Sequence, residues 1–348
     1  MITVCPVGHY AHRQPLAYAP IRTAVAGRVG VIDRPETADI VIVSHSKDLD
    51  SCAAALSAAQ RNGARIVLLS EEPLWDTVWA RNPLQRQQHH THPQGSFDFA
   101  YLNHMTSGLY EFLQIPYFLL TDRSFFARYA SWFAQTAQKT PKDWLDTWAR
   151  APRDVAFVAE YRDDPKFDRA FAGIDIFGLG AWRTRVALGC NTGTVLRTGA
   201  GWNTLPRRQD LPDWHLDKYL DLHDGCRMVS AIENTHQNAY VSEKIFDAFA
   251  VGAVPLTVAG PDHRLHDLAH PDSHLNLYGL TEADAAATIG AFAPTAALAE
   301  AYARAQAKLH TLFATPDRIL AEYAWFAQKL TQELTQELEA APSPQSHG

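Results

Sequence analysis

The sequence has no excess of positive charge, and this shortage narrows the range of partners. Its 31 lysines and arginines are outnumbered by 38 aspartates and glutamates, which gives a formal net charge of −7. Proteins that bind extended nucleic acid need clustered basic residues to neutralise the phosphate backbone. The charge balance therefore argues against a nucleic-acid partner. A small local basic pocket remains compatible with this net charge.

Cysteine is scarce and shows no paired spacing. The four cysteines, Cys5, Cys52, Cys190 and Cys226, are far apart and form no C-x-x-C pair. Structural zinc sites and disulfide frameworks depend on close, recurrent spacings. We therefore expect reduced, half-buried thiols, and we predict no metal site.

Long apolar runs are missing as well. No segment approaches the roughly 18 apolar residues of a membrane span. The first six residues read as a strand and lack the basic and apolar regions of a secretory signal. This pattern predicts a cytoplasmic protein and leaves peripheral contact with the inner face of the membrane open.

Strand and helix signals alternate through the first half of the chain. Residues 38–44 and 63–69 read as strands and residues 53–61 as a helix, which is a βαβ unit with a parallel sheet. A chain of 348 residues has room for about two domains of roughly 150 residues, and Pro141 and Pro152 mark the boundary between them. We predict an α/β fold with domains at residues 1–150 and 151–315, followed by a C-terminal helix and flexible tail at 316–348.

Two adjacent carboxylates follow the strand that is predicted to end at Leu69. The segment reads Ser70-Glu-Glu-Pro73, and open α/β sheets bind ligands at the carboxyl ends of their strands. A carboxylate in a partly dry cleft has a raised pKa, which suits a general base. Glu71 and Glu72 are thus candidates for this role, and a solvated acidic loop is the alternative.

Two further polar segments are interpreted as structural. The three histidines of Gln87-Gln-His-His-Thr-His-Pro-Gln-Gly95 lack the spacing of a metal site, so we predict a mobile loop. Asp48-Leu-Asp50 has the pattern of a metal-dependent nucleotide-sugar site, but it falls at a helix start, where acidic residues offset the helix dipole. Neither segment is assigned a catalytic role.

The most informative stretch is residues 231–256. Ser242 is a predicted N-cap, Glu243 and Lys244 fall in the first turn of a short helix, and Gly252 suits the C-terminal end of that helix. A buried strand follows. Because a helix start with free N–H groups beside a lysine is suited to bind phosphate, this stretch predicts a nucleotide site. An ordinary exposed helix start is the alternative.

A dinucleotide-binding glycine fingerprint is missing. Gly178-Leu-Gly-Ala-Trp182 supplies two glycines after a predicted strand. It lacks the third glycine and the acidic residue about 20 positions later that the fingerprint requires. A dehydrogenase is therefore disfavoured.

The stretch at residues 231–256 resembles the donor-binding signature of family 10 glycosyltransferases, the α-1,3/1,4-fucosyltransferases. The matching residues are Ile232-Glu-Asn-Thr, then a four-residue gap, Tyr240-Val-Ser-Glu-Lys-Ile, and Gly252-Ala-Val-Pro-Leu. Weaker similarities are found in Ala269-His-Pro-Asp-Ser-His-Leu, Ser70-Glu-Glu-Pro73 and Phe97-Asp-Phe99, which are similar to the family's I-P-x-D-S, E-S-P and F-D-[WY] segments.

The resemblance implies a GT-B architecture, in which two facing Rossmann-like domains hold the acceptor and the nucleotide sugar. It also implies inverting transfer of fucose from GDP-fucose. By position, Lys244 would neutralise the leaving diphosphate, Glu243 would contact the donor sugar, and Glu71 would be the base that deprotonates the acceptor hydroxyl. The remaining donor-binding positions implied by the resemblance are Glu233, Asn234 and Tyr240.

The sequence departs from the family at the arginine that binds phosphate. The family carries this residue in a short A-P-x-R stretch, whereas here the chain reads Ala159-Glu-Tyr-Arg-Asp-Asp-Pro-Lys-Phe-Asp-Arg169. Arg169 and Arg162 are both candidates, and Lys166 is a lesser one. Ile232 and Ala239 also differ from the family pattern, which bears on the base and sugar of the donor more than on its diphosphate.

These observations predict an inverting glycosyltransferase that transfers fucose to a hydroxyl of a cell-surface glycan, of the lipopolysaccharide or capsule type, or of its lipid-linked precursor. One alternative keeps the chemistry with another nucleotide sugar. The other is a non-catalytic nucleotide- or glycan-binding protein. No cofactor is predicted, and the need for a divalent metal is left open, because a lysine, an arginine and a helix terminus can stabilise a diphosphate without one.

Overall fold

The structure is a computed structural model that describes residues 1–72, 82–171, 173–203 and 210–340. The chain forms two compact units. The first consists of Met1–Arg123 and Ile319–Gly348, and the second of Ser124–Arg318. Each unit contains a mainly parallel sheet with helices, so the predicted α/β class is confirmed.

A six-stranded sheet, parallel except at one edge, forms the centre of the first unit. Its strands are β1 (Ile2–Val7), β2 (Val29–Val31), β3 (Ile40–Val43), β4 (Arg65–Leu69), β5 (Gln87–His90) and β6 (Phe97–Leu102). Their spatial order is β2-β1-β3-β4-β6-β5, with β5 antiparallel to β6 and the other pairs parallel. The helices between these strands are α1 (Ala19–Val25), α2 (Lys47–Ser51) and α3 (Ala53–Arg61).

The core of this unit follows from the apolar pattern of β3 and α3. Ala53 and Leu56 lie on one face of α3, in the same buried cluster as Val41 and Val43 of β3. Burying a valine or leucine side chain stabilises the fold by about 1.5–3 kcal/mol. Because β3 and β4 pair in parallel and α3 connects them, the βαβ unit predicted between residues 38 and 69 is confirmed.

Two segments of the first unit differ from the sequence-based prediction. Part of the predicted mobile loop at residues 87–95 forms β5, which pairs with β6. The polar side chains of β5 suit an edge strand that has one face in solvent. Because of these polar residues, the sequence of β5 shows no alternating apolar pattern. The apolar run at residues 116–120, whose composition predicts a strand, forms the 3-10 helix Tyr117–Leu120 instead. Pro116 precedes it, and a proline cannot donate to a strand ladder.

The C-terminal helix α12 (Asp317–Glu339) belongs to the first unit. Its buried Glu322 accepts the backbone N–H groups of residues 113–115 at 2.7–3.0 Å. Glu333, further along the helix, accepts a hydrogen bond from Arg86 at 2.7 Å. Because a buried carboxylate is costly unless it is paired, these bonds hold the helix against the loops of the unit.

A five-stranded parallel sheet forms the centre of the second unit. Its strands are β7 (Arg153–Val158), β9 (Val195–Thr198), β10 (Cys226–Ser230), β12 (Val254–Thr257) and β13 (Leu275–Asn276), in the spatial order β13-β12-β10-β7-β9. A separate antiparallel pair joins β8 (Phe177–Gly178) and β11 (Thr235–His236). The helices are α4 (Arg123–Thr136), α5 (Pro141–Arg150), α6 (Gly180–Gly189), α7 (Trp214–Leu222), α8 (Glu243–Ala250), α9 (Leu265–Leu268), α10 (Glu282–Gly290) and α11 (Ala296–Phe313).

The units differ from the predicted ranges because α4 and α5 belong to the second unit, which begins at Ser124 and not at residue 151. Trp148 of α5 is fully buried and donates its indole N–H to the carbonyl of Gly252 at 2.9 Å. Pro141, interpreted from the sequence as a boundary, is the first residue of α5. Proline is favoured there because the first helical N–H has no partner within the helix.

None of the helices within the described ranges is long and apolar enough to cross a membrane. The predicted flexible tail, residues 342–348, lies outside the described residues.

Candidate functional site

The signature helix α8 begins and ends where the sequence predicts. Ser242 is its N-cap, and the Ser242 side chain accepts the N–H of Lys244. Gly252 follows the helix with a φ of +81°, which glycine adopts at little cost. The polar residues before α8 come directly after β10, the strand that lies beside β7 in the sheet. The strand order reverses at this point, because β9 lies on one side of β7 and β10 on the other. Open α/β sheets bind their ligands at such reversals of strand order.

The start of α8 carries a cluster of charged side chains. Glu233 accepts hydrogen bonds from the N–H of Ser242 at 2.8 Å, from the Ser242 hydroxyl at 2.7 Å and from the Lys244 amine at 2.8 Å. Glu243 lies 3.8 Å from the same amine. At this helix start the N–H of the N-cap Ser242 is thus bound to the carboxylate of Glu233, and the N–H of Lys244 to the Ser242 hydroxyl, while binding of phosphate there stays a prediction.

Lys244 keeps its positive charge in this environment. Burial disfavours a charged amine, but Glu233 and Glu243 outweigh it, so that the pKa of Lys244 is raised above its usual value. The Lys244 side chain is 17% exposed. Part of the side chain therefore remains accessible.

Arg183 of α6 is a second cation beside this cluster. It is 5% exposed, and its guanidinium donates to the carbonyl oxygen of Ile232 at 3.2 Å. Its positive charge partly opposes the rise in the pKa of Lys244 that Glu233 and Glu243 cause. By residue type, the two acidic side chains Glu233 and Glu243 balance the two basic side chains Lys244 and Arg183. We call these four residues and Ser242 the donor cluster.

The arginines that the sequence suggested for phosphate binding have other partners. Arg162 is paired with Glu160 at 2.5 Å. Arg169 is exposed, and its guanidinium lies over the ring of Phe171 at 5.6 Å. Lys166, the lesser candidate, forms an ion pair with Asp164 at 2.6 Å. Arg183, by contrast, contacts the signature segment through the carbonyl of Ile232 and acts on the charge of Lys244.

Asn234 and Tyr240 flank the donor cluster along the chain. The carbonyl of Asn234 accepts the N–H of Leu179 at 2.8 Å, which ties the signature loop to the residue before α6. Tyr240 is 1% exposed, and its N–H donates to the carbonyl of Gln237. Both residues shape the loop before α8, and their contact with a nucleotide stays a prediction.

A buried network fixes the orientation of α8. Asp247, one turn after Glu243, accepts hydrogen bonds from Tyr129 at 2.5 Å, His215 at 2.8 Å and Lys218 at 2.9 Å. Burial alone would raise the pKa of Asp247, but Lys218, His215 and Tyr129 reverse the shift and hold it well below its usual range. The helix that carries Glu243 and Lys244 is therefore anchored by a charged side chain on its inner face.

In the first unit, Glu71 lies just beyond the end of β4 and is 7% exposed. One carboxylate oxygen accepts the hydroxyl of Tyr117 at 2.6 Å, and the other accepts the hydroxyl of Tyr18 at 3.0 Å. Burial is the main cause that raises the pKa of Glu71 to about 7, and Glu72 adds to the rise, whereas the two tyrosines and Arg13 oppose it. A carboxyl group with this pKa is suited to exchange protons at neutral pH.

Three solved structures are similar to this chain over most of its length. A crystal structure of an α1,3-fucosyltransferase with GDP-fucose is 14% identical, with a TM-score of 0.43. A second structure of an α1,3-fucosyltransferase is 16% identical at 0.44, and a third, with GDP, is 13% identical at 0.39. Each comparison covers 98% of this chain and 91% of the other.

No family model and no curated protein matches the chain. Because all three TM-scores are below 0.5, the function of this chain has to be inferred from its own residues.

The site residues that sequence reasoning missed are Arg183, Tyr18 and Tyr117. For Arg183 a signal exists: in a helix over residues 180–189, it shares a face with Gly180 and Ala187, both buried. A charged residue on a buried helix face indicates a buried partner or a ligand. No local signal marks the two tyrosines, because each is about 50 residues from Glu71 in sequence.

Metal-binding groupings are also missing among residues 1–72, 82–171, 173–203 and 210–340. No group of three or more histidine, cysteine, aspartate or glutamate side chains there has the geometry to hold a metal ion.

Proposed function

We propose that this protein is an inverting glycosyltransferase of GT-B architecture that transfers fucose from GDP-fucose to a hydroxyl of a glycan. One observation carries the proposal. Two cations, Lys244 and Arg183, lie together at the carboxyl edge of the second sheet, at the segment that resembles the donor-binding signature of family 10. A nucleotide sugar needs such a pair, since its diphosphate gains negative charge as the sugar leaves.

The donor cluster suggests a division of roles. Lys244 and Arg183 neutralise the diphosphate. Glu233 holds the Lys244 amine at 2.8 Å, so the charge is oriented before the donor arrives. Glu243, at the first position of α8, supplies a carboxylate for the positive charge that develops at the anomeric carbon.

Glu71 is proposed as the base for the acceptor hydroxyl. With a pKa of about 7 it is partly ionised at neutral pH, so it can take a proton from the hydroxyl as the oxygen attacks the anomeric carbon. The C–O bond to the diphosphate breaks in the same displacement. A single displacement with attack opposite the leaving group inverts the configuration of the sugar.

We further propose that the acceptor is a cell-surface glycan of the lipopolysaccharide or capsule type, or its lipid-linked precursor, and that transfer takes place in the cytoplasm, at the inner face of the membrane. The support for this acceptor is the resemblance of the signature residues to family 10.

The donor assignment is tested by thermal stabilisation with a panel of nucleotides. A ligand at 100 times its Kd stabilises the folded state by about 2.7 kcal/mol. We expect GDP and GDP-fucose to raise the Tm of the wild-type protein, and to raise it much less in Lys244→Ala. Lys142→Ala is the matched control, because Lys142 is 80% exposed. Stabilisation by another nucleotide, with none by GDP, would contradict the donor assignment.

The transfer reaction is tested with GDP-fucose and lipopolysaccharide or capsule oligosaccharides, with product detection by mass spectrometry and assignment of the anomer by NMR. Glu71→Gln is expected to lose turnover by about 10²–10⁴-fold, the usual contribution of a general base. Glu72→Gln is the neighbouring control and should retain most activity. Nucleotide binding without transfer, and without any effect of Glu71→Gln, would favour a binding protein.

A further inference from the structure

The two oxygens of Glu71 have different surroundings. Tyr117 donates to Oε2 at 2.6 Å, and Tyr18 donates to Oε1 at 3.0 Å. Tyr117 is 3% exposed, whereas Tyr18 is half-buried. The carboxylate is therefore held firmly on an inner side by a short bond and more loosely on the side nearer to solvent.

The position of the Tyr117 hydroxyl is fixed by packing. Tyr117 begins the 3-10 helix after Pro116. Its ring stacks on Phe326 of α12 with centroids 5.2 Å apart and meets the edge of Tyr110 at 5.0 Å. Tyr18 lies instead at the N-cap of α1, where the chain changes from extended to helical. Of the two donors, Tyr117 has less freedom to leave the carboxylate.

We propose that Tyr117 is a positioning residue that anchors Oε2 of Glu71, so that Oε1, shared with Tyr18, is the oxygen that takes the proton from the acceptor hydroxyl. This inference rests on the proposed role of Glu71 as the base. It adds which oxygen reacts and which residues orient it.

The proton of the acceptor hydroxyl moves to Oε1 of Glu71. The O–H bond of the acceptor breaks, and its proton bonds to a lone pair of Oε1 that Tyr18 does not use. The electron pair of that bond stays on the acceptor oxygen, which forms the new bond to the anomeric carbon. The bond from this carbon to the diphosphate oxygen breaks, and its electron pair leaves with GDP.

Both tyrosines remain protonated donors while Glu71 changes its charge. Burial raises the pKa of Tyr117 and of Tyr18, and the nearby Glu71 raises both further. The other charged groups that act on Glu71 among the described residues are Glu72, which raises its pKa, and Arg13, which lowers it. Because hydrogen bonds to a carboxylate favour its charged form, loss of a tyrosine hydroxyl should raise the pKa of Glu71.

The test compares Tyr117→Phe and Tyr18→Phe, each of which removes one oxygen atom. Two quantities are measured: the pH dependence of kcat/KM, and the titration of the Glu71 carboxyl carbon by NMR with ¹³C-labelled glutamate, assigned by its loss in Glu71→Gln. We expect the pKa of Glu71 to rise by about one unit in Tyr117→Phe, with kcat reduced and KM little changed. Tyr18→Phe should give a smaller upward shift.

Tyr323→Phe is the matched control. Tyr323 also donates a hydrogen bond within the first unit, to the carbonyl of Leu120 at 3.0 Å. This variant should lose some stability and leave the pH profile unchanged. If the role of Tyr117 is purely structural, Tyr117→Phe should also have a lower Tm and an unchanged pKa of Glu71. That result would overturn the inference.

The outcomes also separate the inference from the proposed function. Full transfer by Glu71→Gln would reject Glu71 as the base, and the proposed reacting oxygen with it. Loss of transfer in Glu71→Gln, with an unmoved titration in Tyr117→Phe, would reject the positioning role alone. A larger shift in Tyr18→Phe than in Tyr117→Phe would reverse the assignment of the two oxygens. If Tyr117→Phe does not fold, the test uses Tyr18→Phe alone. In that case, no upward shift in the pKa of Glu71 in Tyr18→Phe would reject the proposal that Tyr18 shares Oε1.

Discussion

The carboxylate of Glu233 lies 2.8 Å from the amine of Lys244 and also accepts the N–H and hydroxyl of Ser242. The start of α8 therefore already holds an anion of the protein itself. On the proposed role of Lys244, an incoming diphosphate would share its amine with Glu233, and Arg183 would supply the second positive charge. This relationship makes the donor cluster sensitive to the removal of any one charge.

Removal of the Glu233 charge should destabilise the free protein more than the complex. In Glu233→Gln, Lys244 keeps only the more distant Glu243 as an acidic partner in the cluster, so we expect a loss of about 2 kcal/mol in the free energy of unfolding, discounted for partial exposure of the pair. GDP should recover part of this loss, because on the proposed function its phosphates would pair with Lys244. Denaturant unfolding with and without GDP measures both effects. Glu243→Gln, with its carboxylate 3.8 Å from the amine, should lose less, and equal losses would contradict this ranking.

Arg183 should matter more for donor binding than the arginines suggested by the sequence. Arg183→Gln removes one of two cations in the donor cluster, and we expect the Kd for GDP, measured by calorimetry, to rise by about 10-fold or more, since charge-assisted hydrogen bonds contribute about 1.5–3 kcal/mol. Arg169→Gln is the control, because Arg169 is exposed beside Phe171. Weaker binding in Arg169→Gln than in Arg183→Gln would return the phosphate site to the 162–169 segment.

Glu71 should cost stability at neutral and higher pH. Its pKa is about 7 in the folded protein against a usual 4.5, so the folded state binds more protons than the unfolded state between these values. Stability is therefore lost as the pH rises from about 4.5 to 7. We expect Glu71→Gln to be more stable than the wild type at pH 8, by an amount on the order of 3 kcal/mol. Unfolding curves at pH 5 and pH 8 measure this, and an equal difference at both values would refute it.

Asp247 should be essential for the stability of the second unit. In Asp247→Asn the partly buried Lys218 loses its carboxylate partner at 2.9 Å, and breaking a buried ion pair costs about 3–5 kcal/mol. Because the pKa of Asp247 is depressed, its contribution is present above the unfolded value and is lost as the pH falls through the folded one. Urea unfolding measures the loss. Asp146→Asn, which breaks an exposed pair with Lys142, should change stability by less than about 1 kcal/mol.

Much of the fold could be predicted from local patterns. β1 and β4 lie within about two residues of the segments predicted as strands, because runs of β-branched residues between turn signals mark buried strands. α8 was also predicted with its cap, since Ser242 and Gly252 are suited by their own chemistry to the two ends of a helix. β5 was missed because an edge strand of polar residues has no apolar period.

Local patterns in the sequence were enough to predict the α/β class, the signature helix and the acidic positions Glu71 and Glu243, because each of these depends on neighbouring residues. The pairing of Glu233 with Lys244, the place of Arg183 beside them, and the hydrogen bonds from Tyr18 and Tyr117 to Glu71 became visible only in the folded chain. Ion pairs and hydrogen bonds between residues far apart in sequence form where strands and helices bring them together, and no local period in the sequence shows which residues meet.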